Sequence, residues 1–225
     1  MVLLICFFIS QGKVSVLMCF SKNVSMFTLL TGILGGALCY STGLPDYKII
    51  GLFFAFVSLM QGIEYLLWKH QECDDYNKFL SYMGMLLNHL QPIILFILIY
   101  IYSKEKFEKN KKLLLTLITI YIIVITFYSL KFKNECTMKD NKEHLNWEWN
   151  NKENKEIVYF IFLICIVSFG FFLPNNGKSF SLAIMLSYLI SYFIYHDKNI
   201  VGSMWCFISV FAPLLYYLKF KLLQK

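Results

Sequence analysis

Seven apolar runs, each about as long as a bilayer is thick, recur along the chain and constrain it more than any other feature. A membrane-spanning helix needs roughly 20 mainly apolar residues, with a range of about 17 to 25. Bounded by charges or turn residues, such runs fall near 24–41, 49–68, 79–102, 113–130, 157–173, 180–195 and 200–218. The sixth and seventh are separated only by His196, Asp197, Lys198 and Asn199, which predicts a tight helical hairpin. In hydrocarbon every backbone polar group needs an internal partner, and long runs without alternating polarity meet that need as helices, not barrel strands. The expectation is an all-α polytopic transmembrane bundle of about seven spanning helices, in one domain over 18–225 with a polar loop at 131–156.

Composition agrees. Of 225 residues, 58% are hydrophobic and 16% charged, and mean hydropathy is +0.57, which excludes a soluble globular domain and a disordered chain. All 21 basic residues are lysine, against 14 acids. Reading duplex base edges leans on arginine, so the chain implies a lipid bilayer as partner and no nucleic acid. None of the seven cysteines forms a Cys-x-x-Cys pair, so neither a thioredoxin-like site nor a zinc ribbon is signalled. Cys39, Cys165 and Cys206 read as small buried hydrophobes.

Residues 1–17 are too short an apolar stretch to span and lack the basic start and small-residue cleavage site of a secretory signal. They read as a mis-assigned or non-spanning extension, with Met18 as the expected start. Gly32 and Gly36 form a Gly-x-x-x-Gly pair, and Gly202, Cys206, Ser209 and Pro213 mark one stripe of the last helix. Both suit helix packing. Seven spans put the termini on opposite faces. Starting at Met18, the lysines divide equally between the two faces, so the positive-inside rule does not decide orientation. The cluster Lys104, Lys106, Lys109, Lys111 and Lys112 favours a cytoplasmic C-terminus.

The second helix carries an intramembrane acid, Glu64, and such a residue is a functional hypothesis in its own right. At 3.6 residues per turn Gln61, Glu64, Tyr65 and Trp68 share one face, with Glu64 about 6 Å and Gln61 about 10 Å from the Trp68 end. The third helix supplies Asn88, His89 and Gln91 ahead of Pro92. That proline has no N–H and so frees the Asn88 carbonyl. Gln61, Glu64, Asn88, His89 and Gln91 are therefore the candidate ion- or ligand-binding residues, opening toward the N-terminal face. The alternative is a hydrogen-bond network that only packs helices, and for His89 alone a satisfied core histidine is the stronger reading.

In the loops, His70, Glu72, Cys73, Asp74, Asp75, Cys136, His144, His196 and Asp197 share one face without a recognised metal-ligand spacing, so a solvated rim is expected and no metal. Cys73 and Cys136 are either a disulfide, if that face is extracytosolic, or two free thiols. Trp147 and Trp149, with Trp68, read as interface anchors, and the Asn23-Val24-Ser25 sequon lies close to the first helix.

The stretch Met18-Cys19-Phe20-Ser21, the Gly-rich first helix, the Gln61-x-x-Glu64-x-x-x-Trp68 run and the Gln91 segment together resemble an uncharacterised family of small multi-pass membrane proteins that open with Met-Cys-Phe-Ser. The resemblance covers about residues 18–100. It implies a start at Met18 and flags Cys19, Gln61, Glu64 and Trp68, but implies no activity. A free N-terminal thiol at Cys19 would suit a nucleophile, a ligand or an acylation site. Other families do not fit: a retinal protein needs a lysine in the last helix, a ceramidase-type hydrolase needs a histidine pair there, and voltage sensing needs periodic basic residues. No cofactor is implied. Three functions compete: a transporter or channel-like protein using Glu64, a structural or interaction protein, and a lipid-modifying enzyme with Glu64 as acid or base and His89 or Cys19 assisting. The last lacks a nucleophile and base pair, so the reading leans away from an enzyme.

Overall fold

The computed structural model describes residues 21–133, 135–139, 144–151, 153–195 and 200–224. The expectations placed on 1–17, Cys19, His196 and Asp197 lie outside them.

Local signals set the helix starts. Ser21 caps α1 (Lys22–Ser41), accepting from the Val24 N–H at 3.4 Å. Gly43 turns the chain with φ +77°, a left-handed conformation that suits glycine, and Pro45 occupies the first turn of α2 (Pro45–Lys69), where its missing N–H costs nothing. Asp74 caps α3 (Asp75–Tyr102) by accepting from the Asn77 N–H at 2.9 Å. A break at Ser103 leads to the short α4 (Lys104–Lys109) and then to α5 (Lys111–Ser129). After the long loop come α6 (Lys155–Gly170), α7 (Gly177–Tyr195), α8 (Val201–Ser209) and α9 (Ala212–Leu223). Strands β1 (Met138–Lys139) and β2 (Leu145–Asn146) pair antiparallel, Met138 opposite Asn146.

The protein is thus an all-α helical bundle. Among the described residues six helices, counting α8 and α9 as one span, are long and apolar enough to cross a membrane, and the molecule is a multi-pass membrane protein. Side chains such as Phe27, Phe127, Phe160 and Phe193, each at least 60% exposed, give the bundle an apolar outer surface that suits lipid and not water. The seventh predicted segment, 157–173, forms α6, but that helix has only 16 residues and measures about 24 Å, short of a hydrocarbon core of roughly 30 Å. It nevertheless joins both ends of the bundle. Just beyond its C-terminus Ser103 Oγ donates to the Phe172 carbonyl at 2.7 Å and Lys106 Nζ to the Leu173 carbonyl at 2.6 Å, while the loop ahead of it sits at the opposite end, on α3.

Two features depart from expectation. The last helix, predicted as continuous over 200–218, is interrupted at Val210–Phe211, because Pro213 cannot donate to a carbonyl one turn back; Cys39 Sγ reaches the Pro213 carbonyl at 3.0 Å. The loop expected as a solvated rim instead plugs the bundle: Trp147 and Trp149 are 2% and 3% exposed, so neither is an interface anchor. Trp147 fits against α3 because position 84 is glycine, where an added Cβ would come within 2.5 Å of the indole. Gly36 and Gly51 allow α1 and α2 to meet closely, since a Cβ at either would fall within 2.7 Å of the other's carbonyl oxygen. Gly32 packs on Ser58 in the same way, the small-residue contact characteristic of membrane helices.

Candidate functional site

The face of α2 that carries Gln61 and Glu64 turns inward, leaving each residue 1% exposed. The fold brings α1, α3 and α8 against it. From α8, Ser203 Oγ donates to Glu64 Oε1. From α1, Thr28 Oγ1 donates to Gln61 Oε1 at 2.8 Å, and the Gln61 side chain lies beside the Glu64 carboxylate. From α3, Gln91 donates through Nε2 to Cys206 Sγ at 3.7 Å, and Cys206 is itself a neighbour of Glu64. Of the five residues expected to form the cluster, Gln61 and Glu64 meet directly, and Gln91 is linked to them through Cys206.

Of the other two, one lines a cavity and one turns away. Asn88, 2% exposed, lines an apolar cavity between α6, α7 and α8. His89 faces α5 and the plugging loop: Nδ1 lies 3.0 Å from Ser129 Oγ, and the ring meets those of Tyr128 and Trp149 edge-on. Consecutive residues on a helix point about 100° apart, and Gln91 lies some 200° round from His89, so His89 cannot join Glu64 as an acid-base pair while Gln91 faces α8. Trp68 is half-buried at the end of α2.

Sequence reasoning missed Ser203 and Thr28. Both are small hydroxyls inside apolar runs, and only their four-helix context makes them partners of Glu64 and Gln61. Their signal was weak: Ser203 stands beside Gly202 and one turn from Cys206, two members of the stripe read as packing. The charge environment is more telling. All the partners of Glu64 are neutral, and among the described residues no ion pair reaches it. Moreover Gln91 Oε1 is buried without a hydrogen-bond partner among the described residues. Buried polar atoms in folded proteins are usually paired, so this cluster has capacity to bind something more.

At the loop end, Cys73 and Cys136 are joined in a disulfide with Cα atoms 5.5 Å apart. Beside it His70, Glu72 and Asp74 place one potential ligand atom each within 4.8 Å of one another. His70 Nε2 already contacts Asp74 Oδ2 at 2.9 Å, and Asp74 is occupied as the cap of α3. The Asn77 N–H and then His70 hold the Asp74 carboxyl below the usual carboxylate range. Capping and the His70 contact account for Asp74.

Comparison with protein-family models, curated proteins and solved structures gives no match for this chain.

Proposed function

We propose that this membrane protein is a transporter or channel-like protein for a proton, a cation or a small polar solute, with Glu64 as the group that takes up and releases the charge. One observation carries the reading: a carboxyl 1% exposed at the meeting of four helices, surrounded by neutral groups. An acid so placed must be neutralised by a bound proton or by a cation that enters the cluster, because an uncompensated buried charge is prohibitively costly. Gln91 Oε1, without a partner among the described residues, offers an acceptor to a bound group.

A second reading rests on the same bonds. Thr28 to Gln61, Ser203 to Glu64 and Gln91 to Cys206 tie α1, α2, α3 and α8 together, and such ties alone would specify packing. Proton and cation flux into liposomes, at several pH values, separates the two. Transport predicts pH-dependent flux that Glu64→Gln abolishes while the variant stays folded. Flux unchanged in that variant would sink the transport reading, and loss of stability without any flux in the wild type would favour packing.

For orientation, we read the disulfide face as extracytosolic, since such bonds persist in oxidising compartments. The lysine-rich loop at α4 then lies in the cytoplasm, as basic loops prefer, together with the C-terminus. A cysteine placed at Lys109 should react with an impermeant maleimide only after the membrane is opened.

A further inference from the structure

Between α6, α7 and α8, at the disulfide end of the bundle, lies a cavity of about 630 Å³, within the roughly 300–1,000 Å³ usual for small-molecule sites. Its rim is Lys155 and Glu156 in the first turn of α6. From there to Leu163 it descends about 12 Å along that helix. The walls are largely apolar and aromatic, with Phe160, Phe162, Tyr188 and Trp205 among them. Trp205 is fixed in place: its ring meets Phe162 edge-on at 5.8 Å, and its Nε1 donates to Ser187 Oγ at 3.0 Å. The indole N–H is therefore already used.

Two of the polar groups in this wall lack a partner among the described residues. Asn88, 2% exposed, reaches the cavity from α3, and its Nδ2 is buried with no partner among the described residues. The Tyr159 hydroxyl is likewise buried and unpartnered. A donor left open in an apolar chamber is destabilising, because hydrocarbon offers it no acceptor. Beside them Gly202 faces open space, since a Cβ added there meets nothing within 4 Å. The chamber therefore extends to the α8 backbone, one residue from the Ser203 that serves Glu64.

We propose that this cavity is the binding site of a hydrophobic molecule carrying a carbonyl or hydroxyl oxygen, which enters from the bilayer. The oxygen accepts from Asn88 Nδ2, and the apolar body lies against Phe162 and Trp205. A phospholipid acyl chain fills the same space less well, because its carbonyl stays near the interface and leaves Asn88 open. The proposal stands on the cavity and does not require conduction through Glu64.

The test uses the full chain in phosphatidylcholine nanodiscs, with 2-methyl-1,4-naphthoquinone as carbonyl probe, farnesol as hydroxyl probe and 2-methylnaphthalene as the oxygen-free control. Binding is read as saturable quenching of Trp205 by the quinone, taken as the difference from Trp205→Phe, and as a rise in Tm for all three compounds. At least one oxygen-bearing probe should bind about tenfold or more tightly than the hydrocarbon, a difference of one buried hydrogen bond. Asn88→Leu should erase that preference without lowering the Tm of the unliganded protein. Gly202→Leu should block all three compounds in a folded protein, because the new side chain enters open space and leucine favours the helix. Glu64→Gln should retain binding even where it abolishes flux. Equal binding of the hydrocarbon, an unchanged preference in Asn88→Leu, or saturable binding of neither oxygen-bearing probe would overturn the proposal.

Discussion

Two of the buried polar clusters in this bundle are built on opposite principles. At the disulfide end Asn77 and Thr137 are each 0% exposed, and their bonding is complete. Asn77 Nδ2 donates to the His70 and Thr137 carbonyls at 3.2 and 3.1 Å, while its Oδ1 accepts from the Thr137 N–H at 2.9 Å. Ser81 Oγ closes the set by donating to Thr137 Oγ1 at 2.8 Å. In mid-bundle the Glu64 cluster is just as buried, yet Gln91 Oε1 has no partner among the described residues. A saturated network fixes a loop; a half-saturated one in hydrocarbon is costly unless a further group completes it. The first cluster serves the architecture; the proposed transport role rests on the second.

Thermal or denaturant unfolding in detergent, run beside the flux assay, can break that contrast. Asn77→Ala removes the residue holding the loop to α3 and opens buried groups on both sides, so it should cost about 3 kcal/mol, the largest loss expected. Glu64→Gln keeps the shape and an acceptor for Ser203 and should cost less than about 1 kcal/mol while removing flux. A loss in Glu64→Gln as large as in Asn77→Ala would make both clusters structural. Opening the Cys73–Cys136 bond, by reductant or by serine at both positions, should cost about 2 kcal/mol, at the low end for disulfides because the helices stay inserted. Gly84→Ala should cost about 1 to 2 kcal/mol by displacing Trp147, with indole fluorescence shifting to the red.

The smallest effect concerns Asp74. Its carboxyl titrates below the ordinary value because the Asn77 N–H and His70 favour the charged form. A group depressed on folding stabilises above its unfolded pKa of about 3.9 and loses that contribution as pH falls through the lower, folded value. Asp74→Ala should therefore lower Tm slightly at neutral pH, and the gap from wild type should close as the pH falls below about 4. A gap that persists at pH 2 would mean that the carboxylate is not what stabilises the cap.

Much of the helical layout was legible because hydrocarbon imposes a simple rule: a spanning segment must be long, apolar and self-bonded, so it shows in one dimension. Capping residues showed as well, through Ser21, Pro45 and Asp74. Glu64 stood out for the same reason, being the wrong chemistry in an apolar run. The loop 131–156 was opaque. Its charges read as solvated, and nothing local reveals that Trp147 finds the hollow above Gly84 or that Thr137 docks on Asn77, residues 60 positions away in sequence. His89 looked like a companion of Glu64 because sequence gives depth along a helix but not which neighbour each side will meet.

By itself, then, the sequence determined the membrane, the helices and the one carboxyl that such a setting makes conspicuous, since each depends on local composition and on the solvent the chain must satisfy. Only the tertiary structure decided that Ser203 from the last span meets Glu64, that His89 turns away to Ser129, and that Asn88 opens into an aromatic chamber. Those outcomes depend on which helix faces pack together, and packing is settled by complementary shape, glycine against backbone and indole against glycine, between residues far apart in the chain.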